Sequence, residues 1–150
     1  MAWLSMAVPA LLRLSLRTCS SKRRRSSSIL VFSISLACGA EMARAVPFAV
    51  AAELTHSATL LHDDVIDDSP TRRGQDASRV IWGNSVSVLA GDWLLTRALE
   101  IVAESAVRDQ ALRPLLVTMR RLVEGEVLQL SLRGTFKATE RDYLNVVIGK

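Results

Sequence analysis

The sequence predicts an all-α domain, and three observations carry that expectation. A hydrophobic content of 49% with 23% charged residues describes a globular chain. Aromatic residues make up only 5%, and 7 glycines and 4 prolines in 150 residues leave little of what sheets and tight turns require. The apolar residues of the second half recur with helical period, as in Leu94/Leu95, Ala98/Leu99 and Ile101/Val102. A chain of this length is enough for one domain with its own core.

Residues 1–21 are apolar, contain Ser and Arg, and hold no acid, which is compatible with an organelle transit segment. A secretory signal fits less well, because Met1 to Leu12 has no positive charge ahead of its apolar stretch. Lys22-Arg23-Arg24-Arg25 reads as a targeting patch or a solvated turn. The apolar run Ile29 to Cys38 is interrupted by Ser33 and Ser35 and falls far short of the ~20 residues that span a bilayer, so no transmembrane helix is expected.

Pro47 sits where the first turn of a helix tolerates it, and the Ala- and Leu-rich run Phe48 to Ile66 should be that helix, ended by Ser69-Pro70. A second helix is expected from Asp92 to Val107, starting at Gly91. A third should begin near Asp109 with Pro114 in its first turn, and set Leu115, Met119, Leu122 and Leu130 on one side. Gly125-Glu126 interrupts it with a small residue and an acid on the buried side, where glycine costs about 1 kcal/mol. Glu140 to Lys150 reads as a further helix.

The net charge of +4 is unevenly distributed. Six of the 19 bases lie in residues 1–40, which hold no acid, leaving 13 bases against 15 acids in the remainder. A slightly acidic body with one short basic cluster does not describe a nucleic-acid surface. Cys19 and Cys38 lack CxxC spacing and nearby histidines, so neither a zinc site nor a redox pair is indicated. His56 and His62 are six apart and form no HExxH pattern.

The chemistry concentrates in Leu60 to Gly74, where Asp63, Asp64, Asp67 and Asp68 precede Arg72 and Arg73. On a helix, Asp63 and Asp67 share one face, His56 lies two turns below Asp63, and Asp64 lies about 100° round. Like charges at i,i+4 repel by a few tenths of a kcal/mol unless a cation lies between them. All-oxygen ligands favour Mg²⁺, which is held by one or two carboxylates together with substrate phosphates. The guanidinium forks of Arg72 and Arg73 suit phosphate oxygens. A solvated acidic helix end followed by a basic turn stands as the alternative, and a DDxxD motif alone does not exclude it.

The wider pattern, H-x6-D-D-x-x-D-x4-R-R-G from His56 to Gly74, resembles the first aspartate-rich motif of the trans-polyprenyl diphosphate synthases. Ile81-Trp82-Gly83, Val88-Leu89-Ala90-Gly91-Asp92 and Gly125-Glu126-Val127-Leu128-Gln129-Leu130 follow in that family's order. The resemblance extends from about Val46 to the C-terminus. Upstream, Lys22 and Arg25 keep the spacing of the family's G-K-x-x-R-P motif, although Ser21 and Ser26 replace its glycine and proline. Tyr143 and Lys150 match the spacing of a Y-x6-K-T-A pattern.

The resemblance implies a prenyltransferase in isoprenoid biosynthesis, on part of an isoprenoid-synthase helical bundle, with residues 22–150 its N-terminal part. Mg²⁺ would bridge Asp63, Asp64 and Asp67 to an allylic diphosphate. Departure of that diphosphate leaves an allylic cation, which the double bond of isopentenyl diphosphate attacks. Arg72 would contact the allylic diphosphate. Arg73, Lys22, Arg25 and His56 would contact isopentenyl diphosphate, with Lys150 a further substrate contact. No second DDxxD occurs in these 150 residues. The chain is therefore expected to be truncated before the second aspartate-rich motif, inactive alone, and a homo- or heterodimer when complete.

A non-catalytic partner subunit and a helical interaction module are the alternatives. The expected compartment is the cytoplasm, or a plastid or mitochondrion if residues 1–21 are a transit segment. Family members with short products tend to carry aromatics four and five residues before the first aspartate. Thr59 and Ala58 stand there, which implies an open tunnel and a long-chain, membrane-seeking product.

Overall fold

The computed structural model describes residues 27–134 and 138–149, and the side chains of all of these but 27–29 and 32. Helix α1 spans Ser27–Ala37 and α2 spans Met42–Ile66. A two-stranded hairpin follows, β1 at Thr71–Arg72 and β2 at Gln75–Asp76. Helices α3 (Ser78–Trp82), α4 (Asn84–Ala103), α5 (Arg108–Leu132) and α6 (Glu140–Gly149) complete the order. The predominantly helical architecture is the expected one. No described helix is long and apolar enough to cross a membrane. Cys38 is a free, exposed thiol, and Cys19, Lys22, Arg25 and Lys150 lie outside the described residues.

Helices α2 and α4 begin earlier than expected, whereas α5 begins at Arg108, beside the expected start near Asp109, and α6 at Glu140 as expected. Pro47 is not in the first turn of α2 but at its sixth residue, where its missing N–H leaves the Ala43 carbonyl without the usual i→i−4 bond. Helix α4 starts at Asn84 rather than Asp92, so Gly91 lies inside it. In α5, Pro114 is the seventh residue and not in the first turn, and Gly125-Glu126 continues the helix without interruption. Burial of both Gly125 and Glu126 accords with the expected buried side. In each case tertiary packing outweighs a local cost of a few kcal/mol or less.

The chain divides into two compact units at Ser105/Ala106. In the first, α2 packs along α4 and against α1. Its core is mostly small side chains: Ala45, Ala49, Ala51 and Ala58 on α2 are buried, as are Ser87, Ala90, Gly91 and Ala98 on α4, with Leu94 and Val102 the larger members. The α4 set recurs every three or four residues, so one face carries it, and its short side chains let the helix backbones approach closely.

In the second unit α5 packs with α6. A Cβ on Gly149 would come within 2.9 Å of Gly125 Cα, so glycine is required there for the close approach. Thr139 and Asp142 form a capping box at the start of α6: Asp142 N–H donates to Thr139 Oγ1 at 3.2 Å, and Thr139 N–H donates to Asp142 Oδ2 at 2.9 Å.

Candidate functional site

The acidic motif lies at the end of α2, and the way that helix stops sets its geometry. Asp67 is the C-cap with φ −85° and ψ −1°, so its backbone is still helical, and its N–H donates to the Asp63 carbonyl at 2.8 Å. Asp68 then turns left-handed, at φ 54°. Asp68 N–H donates to Val65 O at 3.3 Å and Ser69 N–H to Asp64 O at 3.0 Å. These two bonds are those of a Schellman stop, with aspartate where glycine is usual. Because helical geometry persists through Asp67, Asp63 and Asp67 stand one turn apart on one face, with His56 two turns below Asp63 on the same continuous helix.

Asp64 faces elsewhere. Its side chain is only 4% exposed, and Oδ1 accepts from Arg72 Nε at 2.8 Å and Nη2 at 2.5 Å. The expectation that Asp64 flanks the same ion as Asp63 is therefore not what this arrangement presents. The cause is Arg72, which covers the carboxylate from β1. Arg72 Nη1 makes no hydrogen bond among the described residues.

A feature absent from the sequence expectation places the arginines. Thr71 pairs with Asp76 and Arg72 with Gln75, and the two residues between are Arg73 at φ 57° and Gly74 at φ 80°. Two central residues with positive φ make this a type I′ turn, which matches the twist of a two-residue hairpin. Arg73, at the turn, is half-buried and makes no hydrogen bond or ion pair among the described residues. The hairpin closes on Pro70, whose carbonyl accepts from Ala77 N–H at 3.0 Å.

Two further contacts tie α4 to this end of α2. His62 Nε2 lies 3.2 Å from the Val88 carbonyl and 3.2 Å from Asp92 Oδ1. Both partners are acceptors, so that nitrogen carries the proton. Gly91 is the close-approach point, because a Cβ there would sit 2.7 Å from His62 Cδ2. Arg79 on α3 reaches back to the acidic end: it pairs with Asp68 Oδ1, and it donates from Nη1 to Ser69 O at 3.2 Å and from Nε to Asn84 Oδ1 at 3.3 Å. Neither Arg79 nor the His62–Asp92 pair was singled out from sequence as functional. The only signal was Gly91-Asp92 within a matched motif, and nothing marked Arg79.

His56 is half-buried, its carbonyl accepts from Thr59 Oγ1 at 2.8 Å, and its ring has no hydrogen-bond partner among the described residues. Ala58 has no exposed surface, so the expected open space beside it is not present at that side chain. Among the described residues no group of three or more His, Cys, Asp or Glu is arranged to hold a metal. Asp63 and Asp67 alone form a two-carboxylate face, the donor set Mg²⁺ uses when phosphate and water supply the remaining ligands.

Comparison with known proteins gives a consistent result. The Polyprenyl synthetase family model matches residues 9–150. A geranylgeranyl diphosphate synthase of Mycobacterium tuberculosis is 37% identical over 124 residues, covering 81% of this chain and 35% of that protein. An octaprenyl diphosphate synthase of Escherichia coli is 39% identical over 105 residues, 70% of this chain and 32% of that one. Among solved structures, a polyprenyl synthase from Caulobacter crescentus, complexed with calcium and isoprenyl diphosphate, superposes with a TM-score of 0.79 at 31% identity. It covers 99% of this chain and 50% of the other. The chain thus spans about a third of the length of these curated relatives.

Proposed function

Since the chain belongs to the polyprenyl synthetase family, we propose that it carries the first metal–diphosphate half-site of a prenyltransferase that condenses isopentenyl diphosphate with an allylic diphosphate. Enzymes of this family generally use Mg²⁺. A relative was solved with calcium and isoprenyl diphosphate, and oxygen ligands of this kind take either ion. The observation that carries the reading is the persistence of helical backbone through Asp67, which sets two carboxylates one turn apart on one face.

Asp63 and Asp67 are the proposed ligands. Bound there, the metal supplies charge neutralisation for the departing diphosphate. Asp64 has a different part: it fixes the Arg72 guanidinium through Nε and Nη2, so that Nη1 is presented to an allylic diphosphate without conformational search. Arg73, raised at the hairpin turn, and His56 are proposed contacts to isopentenyl diphosphate, as are Lys22, Arg25 and Lys150 from the family spacing. A long-chain polyprenyl product is proposed from the small Thr59, since Ala58 is closed off.

Titration calorimetry with inorganic pyrophosphate tests the site directly. Binding should require Mg²⁺, and Asp63→Ala or Asp67→Ala should remove that requirement together with most of the affinity. Unchanged Mg²⁺-dependent binding in both variants would refute the assignment. A non-catalytic partner subunit would bind in the same way and is separated from this reading by turnover.

A further inference from the structure

Four carboxylates crowd the end of α2, and two arginines from outside the helix engage two of them: Arg72 holds Asp64, and Arg79 holds Asp68. Arg79 does more than neutralise a charge. Its side chain is 18% exposed, and its three nitrogens reach three separate points: the Asp68 carboxylate, the Ser69 carbonyl and the Asn84 side chain at the start of α4. Asp68 and Ser69 are the two residues that complete the helix stop, and Asp68 sits in a left-handed conformation that costs a non-glycine residue of the order of 1 kcal/mol or more. A strained turn persists only where its surroundings over-determine it, and the guanidinium fork is the group that does so here.

We propose that Arg79 is a positioning residue for the proposed metal–diphosphate site, a role that rests on the reading given above. By pinning Asp68 and Ser69 to the α3–α4 junction, it holds the stop of α2 closed. The closed stop keeps Asp67 in helical register above Asp63. It also removes Asp68 from the carboxylate face, because an Asp68 side chain already bound to a guanidinium does not compete for the cation. Lysine cannot substitute, since an ammonium on a flexible stem lacks the planar fork that spans three acceptors at once.

The test combines two measurements on the full 150-residue chain. The first is hydrogen exchange without metal, which reads the clamp itself. In Arg79→Gln the Ser69 amide, which donates to Asp64 O, should exchange about tenfold faster, while amides near Leu94 in the middle of α4 stay unchanged. The second is calorimetry with inorganic pyrophosphate and Mg²⁺. Arg79→Gln and Asp68→Ala should each weaken binding about tenfold, the low end for groups that support metal ligands from behind. The double variant should be no weaker than Arg79→Gln alone, because that substitution already removes the link to Asp68. Arg79→Lys should resemble Arg79→Gln.

Three results would overturn the proposal. Unchanged Ser69 exchange in Arg79→Gln would show that there is no clamp. Additive losses in the double variant would show that the two residues act separately. Full binding by Arg79→Gln, with binding abolished by Asp63→Ala, would leave the site standing and remove Arg79 from it. If Asp63→Ala also bound normally, the functional reading itself would fall, and the exchange data would still report on the clamp.

Discussion

Substituting Gly91 by alanine sets two effects of opposite sign against each other. Gly91 is in the middle of α4, where alanine is favoured over glycine by about 1 kcal/mol on helix propensity. The new Cβ, however, would lie 2.7 Å from His62 Cδ2 and 3.0 Å from His62 Cε1. The ring has little freedom to yield, because Nε2 is held by the Val88 carbonyl and by Asp92. Overpacking of this kind costs about 1–3 kcal/mol, so Gly91→Ala should destabilise by about 1 kcal/mol net. That is a fall of about 4–8 °C in Tm for a unit of this size.

The decisive comparison is made in a His62→Ala background. With the ring gone, only the propensity term remains, and the same substitution should stabilise by about 1 kcal/mol. The sign should therefore reverse between backgrounds, a coupling of about 2 kcal/mol measurable by thermal or urea denaturation followed by circular dichroism. A Gly91→Ala effect of the same sign and size in both would refute the view that His62 dictates glycine at this position.

Arg72→Ala should destabilise by about 3 kcal/mol in urea denaturation, because it strands a carboxylate that is 4% exposed. Asp64→Ala should cost less, since Arg72 is a third exposed and can turn to water; equal costs would contradict the assigned burial. At α6, the hydroxyl of Thr139 and then its N–H hold the Asp142 carboxyl below its ordinary value. A lowered folded value means the contribution is complete above the unfolded range, about pH 4, and is lost as pH falls through the folded one. Ellipticity at 222 nm should thus show less acid-induced loss in Thr139→Ala than in the parent, and identical acid limbs would count against the capping role. Product length can be read in a chimera joining this chain to the C-terminal portion of the E. coli octaprenyl relative. Thr59→Phe should shorten the products seen by chromatography, whereas Ala58→Phe, at a fully buried site, should first cost stability; unchanged products with Thr59→Phe would remove that residue from the tunnel.

What the sequence alone determined was whatever depends on covalent spacing. An apolar run ending in D-D-x-x-D places Asp63 and Asp67 on one face for any helix, and His56 below them, because 3.6 residues per turn is a property of the backbone. The all-α class and the family were legible for a similar reason, since composition, motif order and spacing are all properties of the linear chain. Helix starts were less legible. Pro47, Gly91 and Pro114 each act locally as a boundary signal, and each lies inside a helix whose packing outweighs a cost of at most a few kcal/mol.

Only the tertiary structure decided which arginine meets which carboxylate. The four carboxylates look alike in the sequence, and nothing in it shows that Asp64 meets an arginine 8 residues on or that Asp68 meets one 11 residues on. Those contacts exist because the chain turns at the Schellman stop, so that Arg72 on β1 meets Asp64, and because α3 lies beside that stop. The reason for Gly91 is equally non-local, a histidine ring on a neighbouring helix. Spacing along a chain sets which side chains share a face; which of them meets a partner depends on loop closure and packing, whose energies come from residues far apart in sequence.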